Sequence, residues 1–88
     1  MSANPHSQRD PKIVEIFAKA IWEVDQKKFD DLGMDKPIAS LGIDSVAMLE
    51  VIGYLEEELE MHLPEEKLQR VQTLGDLADV IAEIRAGK

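Results

Sequence analysis

The chain has 88 residues, enough for one small domain, and it contains no cysteine. It can therefore form no disulfide, thiolate metal site or cysteine nucleophile, and any thiol chemistry needs a sulfur from another molecule. The formal net charge of −8 disfavours binding to nucleic acid and to anionic membrane surfaces. No apolar run approaches the ~20 residues of a membrane-spanning helix, and the polar segment 1–10 does not resemble a signal peptide. We therefore expect a cytoplasmic protein.

The whole net charge lies between residues 37 and 66. This segment contains eight acidic residues and no Lys or Arg, whereas the rest of the chain has ten acids and ten bases. Such an acidic block favours a partner with a basic patch. A solvated helix face without any partner would have the same composition.

The pattern at the N-terminus predicts a disordered lead over residues 1–10 and a first helix over about 11–25. Asp10 and Pro11 suit the N-cap and the first helical position. Apolar residues then recur at helical spacing, namely Ile13, Ile16, Phe17, Ala20, Ile21 and Val24. From residue 26 to 43 no period holds, so we expect a long loop pinned by single apolar side chains, with a helical turn near residues 29–32.

Three further helices are predicted. The second should run from Asp44 to about Glu60, with an apolar core face made of Met48, Ile52, Leu55 and Leu59. Leu-Pro-Glu-Glu at 63–66 starts a short third helix within residues 65–70. Thr73 and Asp76 have capping-box spacing and open a fourth helix that ends near Arg85, before a tail at 86–88. Since no segment alternates like a strand, the predicted fold is all-α, with one four-helix domain over residues 11–85.

Few residues have the types and spacing that catalysis or metal binding requires. His6 and His62 are far apart in the chain, and no Gly-rich phosphate loop is present. The acids between residues 25 and 35 do not have the spacing of a calcium loop. We therefore expect neither an enzyme nor a metal site.

The segment 41–46, Leu-Gly-Ile-Asp-Ser-Val, is the candidate functional site. Gly42 permits a sharp turn, and Ser45 would lie in the first turn of the second helix. Free backbone N–H groups and the positive end of the helix dipole favour an anion there. Asp44 and Ser45 are also frequent capping residues, so capping alone would explain the pair.

The second helix also presents an outward strip. At about 100° per residue, the face opposite the apolar one carries Val46, Glu50, Gly53, Tyr54 and Glu57. Near the helix C-terminus negative charge opposes the dipole, yet four acids occur there: Glu56, Glu57, Glu58 and Glu60. Because helix stability does not explain these acids, we expect the strip to bind a basic partner.

The segment 41–45, the acidic helix after it and the Leu-Pro-Glu-Glu turn resemble the acyl carrier protein family over about residues 11–85. The resemblance implies a four-helix bundle of acyl-carrier type with a long first loop and a short third helix. It also implies a carrier protein that holds acyl intermediates as thioesters on a covalent 4'-phosphopantetheine arm.

The resemblance further assigns roles to individual residues. It implies that Ser45 is the attachment serine and that Asp44 assists the magnesium of a phosphopantetheinyl transferase. Acyl-loading and acyl-processing enzymes would bind the helix-2 strip through basic patches, and the carrier would be a monomer. A channel for the acyl chain would be lined by residues that ordinary core packing explains as well: Ile52, Leu55, Leu68, Val71 and Leu77.

The sequence differs from the usual family pattern at several positions, and these differences indicate in which type of pathway the carrier acts. Gly53 stands where fatty-acid carriers usually have a bulky apolar residue, and Lys67 and Arg70 place bases in the third helix. These features favour a specialised fatty-acid, polyketide or lipid pathway. An aminoacyl or D-alanyl carrier loaded by an adenylating ligase is an alternative. In another class, an acidic helical adaptor without a prosthetic group would use Ser45 only as a cap.

Overall fold

Four α-helices and one 3₁₀ turn make up the fold. The computed structural model describes residues 9–87, in which the element order is α1 (Lys12–Asp25), a 3₁₀ turn (Ile38–Leu41), α2 (Ser45–Leu59), α3 (Glu65–Leu68) and α4 (Leu74–Arg85). Within those residues the only β pairing is an isolated bridge between Pro37 and Thr73. The all-α prediction, with a long first connection and a short third helix, is confirmed.

The core forms where α2 and α4 pack against α1. The predicted stripe of α1 is confirmed, because four of its residues are buried, and α4 contributes four more apolar side chains. Full burial of a Leu, Ile or Phe side chain stabilises a fold by about 1.5–3 kcal/mol, so this cluster is the main source of stability. Its members on the two helices are Ile13, Phe17, Ala20, Ile21, Leu74, Leu77, Ala78 and Ile81.

The core face of α2 differs from the prediction. Leu55 is buried as expected, but the second buried residue is Val51, while Met48, Ile52 and Leu59 are only half-buried. Met48 and Ile52 line a cavity between α2, α3 and α4 and are therefore partly exposed, whereas Val51 belongs to the buried core cluster. A sequence period identifies an apolar face but not which part of it a neighbour covers.

The predicted side-chain cap begins α4, whereas α1 begins one residue later than predicted, with Pro11 at the N-cap position and the Asp10 side chain bonding to the first helical N–H. Lys12 N–H donates to Asp10 Oδ1 at 2.9 Å. In the capping box of α4, Asp76 N–H donates to Thr73 Oγ1 at 3.1 Å, and Thr73 N–H donates to Asp76 Oδ2 at 3.1 Å. Gln72 N–H donates to the same carboxylate oxygen at 2.9 Å. These caps satisfy N–H groups that have no partner within a helix.

The first loop is held by backbone hydrogen bonds as well as by apolar side chains. Ile38 N–H donates to the Gln72 carbonyl at 2.8 Å, and Gly75 N–H donates to the Met34 carbonyl at 2.7 Å. The helical turn expected near residues 29–32 is wrong, since the turn forms at Ile38–Leu41 instead. There Pro37 supplies an extended residue before the turn, and Gly42, with φ of 70°, ends it.

Two residues of the predicted lead are ordered on α4. The Arg9 guanidinium forms a two-point ion pair with Asp79, at 2.8 and 3.1 Å, and Arg85 Nη1 lies 2.8 Å from Asp10 Oδ2. The Arg9 side chain lies against Gly75, where a Cβ atom would be 2.7 Å from it. Residues 1–8, including His6, and residue 88 of the predicted tail lie outside the described part of the chain.

The capping box predicts how stability depends on pH. Hydrogen bonds from Gln72 and Thr73 lower the pKa of Asp76, so this carboxylate adds stability above its unfolded pKa of about 3.9. That stability is lost as the pH falls through the lower, folded pKa. The Asp76→Asn variant should therefore be less stable than the parent at pH 6, and the difference should shrink towards pH 2.5. Urea unfolding, followed by circular dichroism at each pH, measures the stability of the variant and of the parent.

Asp30→Asn is the matched control, because Asp30 is exposed and makes no ion pair with any described residue. It should leave the stability unchanged across this range. A stability gap between Asp76→Asn and the parent that stays constant from pH 6 to 2.5 would contradict the electrostatic role of the cap.

Candidate functional site

The site lies at the start of α2, where one residue provides the cap. Asp44 has an extended backbone, and its Oδ1 accepts the Ala47 N–H at 2.8 Å. Its carbonyl accepts the Met48 N–H at 2.9 Å, which is the first backbone bond of the helix. Asp44 alone therefore satisfies the usual requirements of an N-cap residue.

Ser45 is the first residue of α2 and takes no part in the capping. It is exposed, and its hydroxyl makes no hydrogen bond with any residue between 9 and 87. Simple capping explains Asp44 but leaves the Ser45 hydroxyl without a structural use. An exposed hydroxyl that the fold does not occupy is accessible to an enzyme.

The surroundings of Ser45 fit a covalently bound phosphodiester. The Ser45 and Val46 N–H groups at the helix start donate to no acceptor in the described chain, and this is the positive end of the helix dipole. Val46, which follows Ser45, is 69% exposed. A negatively charged group on Ser45 therefore has room and a favourable backbone field.

A lysine from the first loop holds the turn that precedes Ser45. Lys27 Nζ donates to the Gly42 carbonyl at 3.0 Å and lies 3.4 Å from Asp25 Oδ2. Sequence reasoning missed this contact, because Lys27 and Gly42 are 15 positions apart and the segment between them gives no periodic signal. The contact places the end of α1 next to the start of α2.

The outward strip of α2 is mostly as expected, with one addition and one correction. Val46, Glu50, Gly53 and Glu57 are exposed. Leu49, which sequence reasoning missed, is 73% exposed and lies one turn from both Ser45 and Val46. Tyr54 does not face outward with them, since it is half-buried and packs against the core. The exposed Val46 and Leu49 make this surface apolar at the Ser45 end and acidic further along.

The acids of α2 do not all have the same role. Glu50, Glu57, Glu58 and Glu60 form no ion pair with described residues, whereas Glu56 Oε2 accepts the Leu63 N–H at 2.8 Å and lies 3.0 Å from His62 Nδ1. The expectation that fold stability explains none of these acids is wrong for Glu56, which ties the end of α2 to the segment before α3. The other four leave an acidic surface without internal counterions.

A cavity of about 290 Å³ lies between α2, α3 and α4. Four of the five predicted channel residues line it, while the fifth, Leu55, is fully buried and is not part of the lining. Exposed Leu49 lines it one helical turn from Ser45, and Glu65 and Gln69 add polar groups. The complete lining is Ile38, Met48, Leu49, Ile52, Glu65, Leu68, Gln69, Val71 and Leu77.

The described residues provide neither a metal-binding cluster nor a membrane-spanning helix. No group of three or more His, Cys, Asp or Glu side chains within residues 9–87 could hold a metal ion. No helix in that range is long and apolar enough to cross a membrane.

Comparison with known proteins agrees with this geometry. The family model described as "Phosphopantetheine attachment site" matches residues 12–81. An acyl carrier protein of Clostridium perfringens is 42% identical over 55 residues, which cover 61% of this chain and 72% of that protein. A chloroplastic acyl carrier protein of Brassica napus is 32% identical over 79 residues, which cover 89% of this chain and 59% of that protein.

A polyketide relative is similar as well. The tetracenomycin polyketide synthase acyl carrier protein of Streptomyces glaucescens is 34% identical over 59 residues, which cover 67% of this chain and 71% of that protein. No solved structure matches the chain. The chain belongs to the acyl carrier protein family. Its prosthetic group is covalently attached 4'-phosphopantetheine, and its role is that of an acyl carrier.

The cap predicts a difference between two substitutions of Asp44. Asn is as good an N-cap as Asp, whereas Ala removes the hydrogen bond and costs about 1 kcal/mol. Asp44→Ala should therefore lower the free energy of unfolding by about 1 kcal/mol, while Asp44→Asn should leave it nearly unchanged. Equal stability of the two variants in urea unfolding would show that the Asp44 side chain does not cap α2.

Proposed function

We propose that Ser45 is the residue to which the 4'-phosphopantetheine arm is attached. The observation that supports this most is that Asp44 caps α2, so the Ser45 hydroxyl at the helix start is exposed and bonds to none of the described residues. In the attachment, Ser45 Oγ gives its proton to a base of the transferase and bonds to the phosphorus that carries the pantetheine arm of coenzyme A. The bridging P–O bond of the pyrophosphate breaks, and adenosine 3',5'-bisphosphate leaves. The arm ends in a thiol that holds an acyl group as a thioester. The chain itself has no cysteine and therefore cannot supply this thiol.

Asp44 is proposed to have a second role towards the transferase. One of its carboxylate oxygens accepts the Ala47 N–H. The other makes no hydrogen bond with described residues and is available to a magnesium ion bound by a phosphopantetheinyl transferase. Oxygen ligands of this kind suit Mg²⁺, which is usually held through one or two carboxylates together with phosphate groups.

The partner surface is proposed to be the exposed strip of α2. Val46 and Leu49 supply the apolar contacts near Ser45, and Glu50 and Glu57 pair with Arg or Lys of a partner enzyme. Gly53 lies between these groups, and a Cβ atom there would meet no neighbour. Because packing within the chain does not require this glycine, we assign it to close approach by a partner. Tyr54 is half-buried, so a partner would reach it only at the edge of the strip.

The cargo is proposed to be an acyl chain of a specialised fatty-acid, polyketide or lipid pathway. The cavity of about 290 Å³ has roughly twice the volume of the 150 Å³ apolar cavity that binds benzene in another protein. Its apolar lining therefore suits a short or medium acyl chain better than a charged aminoacyl group. Loading assays with acyl and aminoacyl substrates separate this cargo from the alternative of an aminoacyl or D-alanyl carrier.

The first test is the mass of the protein after incubation with a broad-specificity transferase, magnesium and coenzyme A. Wild type should gain one phosphopantetheine, and Ser45→Ala should gain none. Ser40→Ala is a matched control, because Ser40 is an exposed serine nearby whose hydroxyl donates to the Pro37 carbonyl at 2.7 Å. It should be modified like wild type. Full modification of Ser45→Ala would exclude this site.

The second test concerns the acidic strip. The double variant Glu50→Lys/Glu57→Lys should lower kcat/KM of the transferase by about tenfold or more, because electrostatic steering changes association rates by 10–1,000-fold. Glu15→Lys/Asp30→Lys makes the same charge change at exposed residues that form no ion pair within residues 9–87 and should have much less effect. Equal losses in the two variants would refute docking through α2.

The mass measurement of the first test also separates the carrier from the adaptor alternative. An adaptor without a prosthetic group would bind its partner through α2 but would gain no mass in the first test. A chain that gains no phosphopantetheine in the first test would therefore support the adaptor over the carrier.

A further inference from the structure

A second groove lies on α1, outside the site described above. It has a volume of about 480 Å³ and is lined by Ala18, Lys19, Trp22, Lys28 and Phe29. Trp22 is 47% exposed and is the only tryptophan of the chain. Ala18 lies one turn before Trp22 on the same helix face, and its small side chain leaves the space beside the indole open.

The groove combines apolar and cationic groups. Phe29 packs partly against the core, and the exposed Lys19 and Lys28 complete the lining. Neither lysine forms an ion pair with a carboxylate in residues 9–87. Glu15 and Glu23 lie one turn before and after Lys19 on α1, yet neither pairs with it. Two ammonium groups without internal partners therefore flank an exposed indole.

The groove is close to the end of the molecule where α2 begins. Lys27, the residue next to Lys28, donates to the Gly42 carbonyl at 3.0 Å, and Gly42 precedes Ser45 by three residues. A protein bound at the start of α2 therefore has the groove beside it. The two surfaces differ in sign, because the strip of α2 is acidic and the groove is basic.

We propose that this groove is a second docking surface, which binds an acidic segment of a partner protein through an apolar side chain and its flanking carboxylates. The indole and Phe29 receive the apolar side chain, and Lys19 and Lys28 pair with the carboxylates. Tryptophan is enriched among the residues that dominate protein interfaces. The net charge of −8 makes an anionic membrane a poorer occupant than a local acidic segment.

Opposite charges on neighbouring surfaces also orient a partner. Complementary charge patterns fix register and exclude wrong partners more than they add affinity. An enzyme that contacts both surfaces needs a basic patch for α2 and an acidic segment for the groove, so it can bind in one orientation only. The groove thus distinguishes partners that carry the acidic segment from those with a basic patch alone.

Trp22 provides the readout for the test. The full-length protein is titrated with a tryptophan-free helical peptide made of Glu, Leu and Ala, while Trp22 emission is recorded. We expect a saturable shift of the emission to shorter wavelength, because the peptide removes the indole from water. The same peptide with Lys in place of Glu should cause no shift. The Ser45→Ala variant should respond like wild type, so a failure of the attachment proposal does not affect this result.

Two double variants provide the matched comparison. Lys19→Glu/Lys28→Glu should weaken binding of the Glu peptide by about tenfold or more, since both charge pairs become repulsive. Lys12→Glu/Arg70→Glu makes the same charge change at exposed bases outside the groove and should weaken it by less than about twofold. Equal weakening in both variants, or no emission shift with the Glu peptide, would overturn the proposal.

Two further outcomes would also overturn it. An emission shift with vesicles of anionic phospholipid and none with the peptide would assign the groove to a membrane surface. A shift that depends only on the concentration of the protein itself would assign it to a second copy of the chain.

Discussion

The hydrogen bond from the Ala47 N–H to Asp44 Oδ1, at 2.8 Å, is the interaction on which the site depends. A helix start leaves backbone N–H groups that need acceptors, and a serine at the N-cap position is a frequent acceptor. Since Asp44 fills that role, Ser45 is released from it and keeps a free, exposed hydroxyl. The turn before Asp44 is fixed from the other side by Lys27, which donates to the Gly42 carbonyl.

The same helix serves three purposes through three faces. Val51 and Leu55 are buried in the core, and this packing fixes the position of α2 and of the residues at its start. Met48 and Ile52 line the cavity between the helices. Val46, Leu49, Glu50 and Glu57 remain exposed. In the proposed carrier, the attachment residue, the cargo cavity and the docking strip are therefore positioned by a single element.

Much of the fold could be predicted from local patterns. The capping box of Thr73 and Asp76 and the apolar stripe of α1 depend on residues a few positions apart, so sequence spacing contains the information. Long-range contacts do not leave such a pattern. The ion pair between Arg9 and Asp79 joins residues 70 positions apart, and the bond from Gly75 N–H to Met34 depends on how the first loop crosses α4.

The candidate site, like the fold, combines features that local sequence patterns predict with features that they do not. The position of Ser45 at the helix start and most of the outward strip follow from the period of α2 and from the cap. The exposure of Leu49, the half-buried ring of Tyr54 and the bond from Leu63 N–H to Glu56 do not. Each depends on which neighbouring element covers that part of α2, and periodicity within one helix contains no information about its neighbours.

The central claim is that the cap by Asp44 leaves Ser45 as the residue that receives the arm. Its most direct test is fragment-ion mass spectrometry of the protein purified from its own cells, on a peptide that contains both Ser40 and Ser45. We expect a phosphopantetheine on Ser45, with any thioester cargo on its thiol, and an unmodified Ser40. A native protein that is modified at another residue, or that has no phosphopantetheine while its cells modify other carriers, would contradict it.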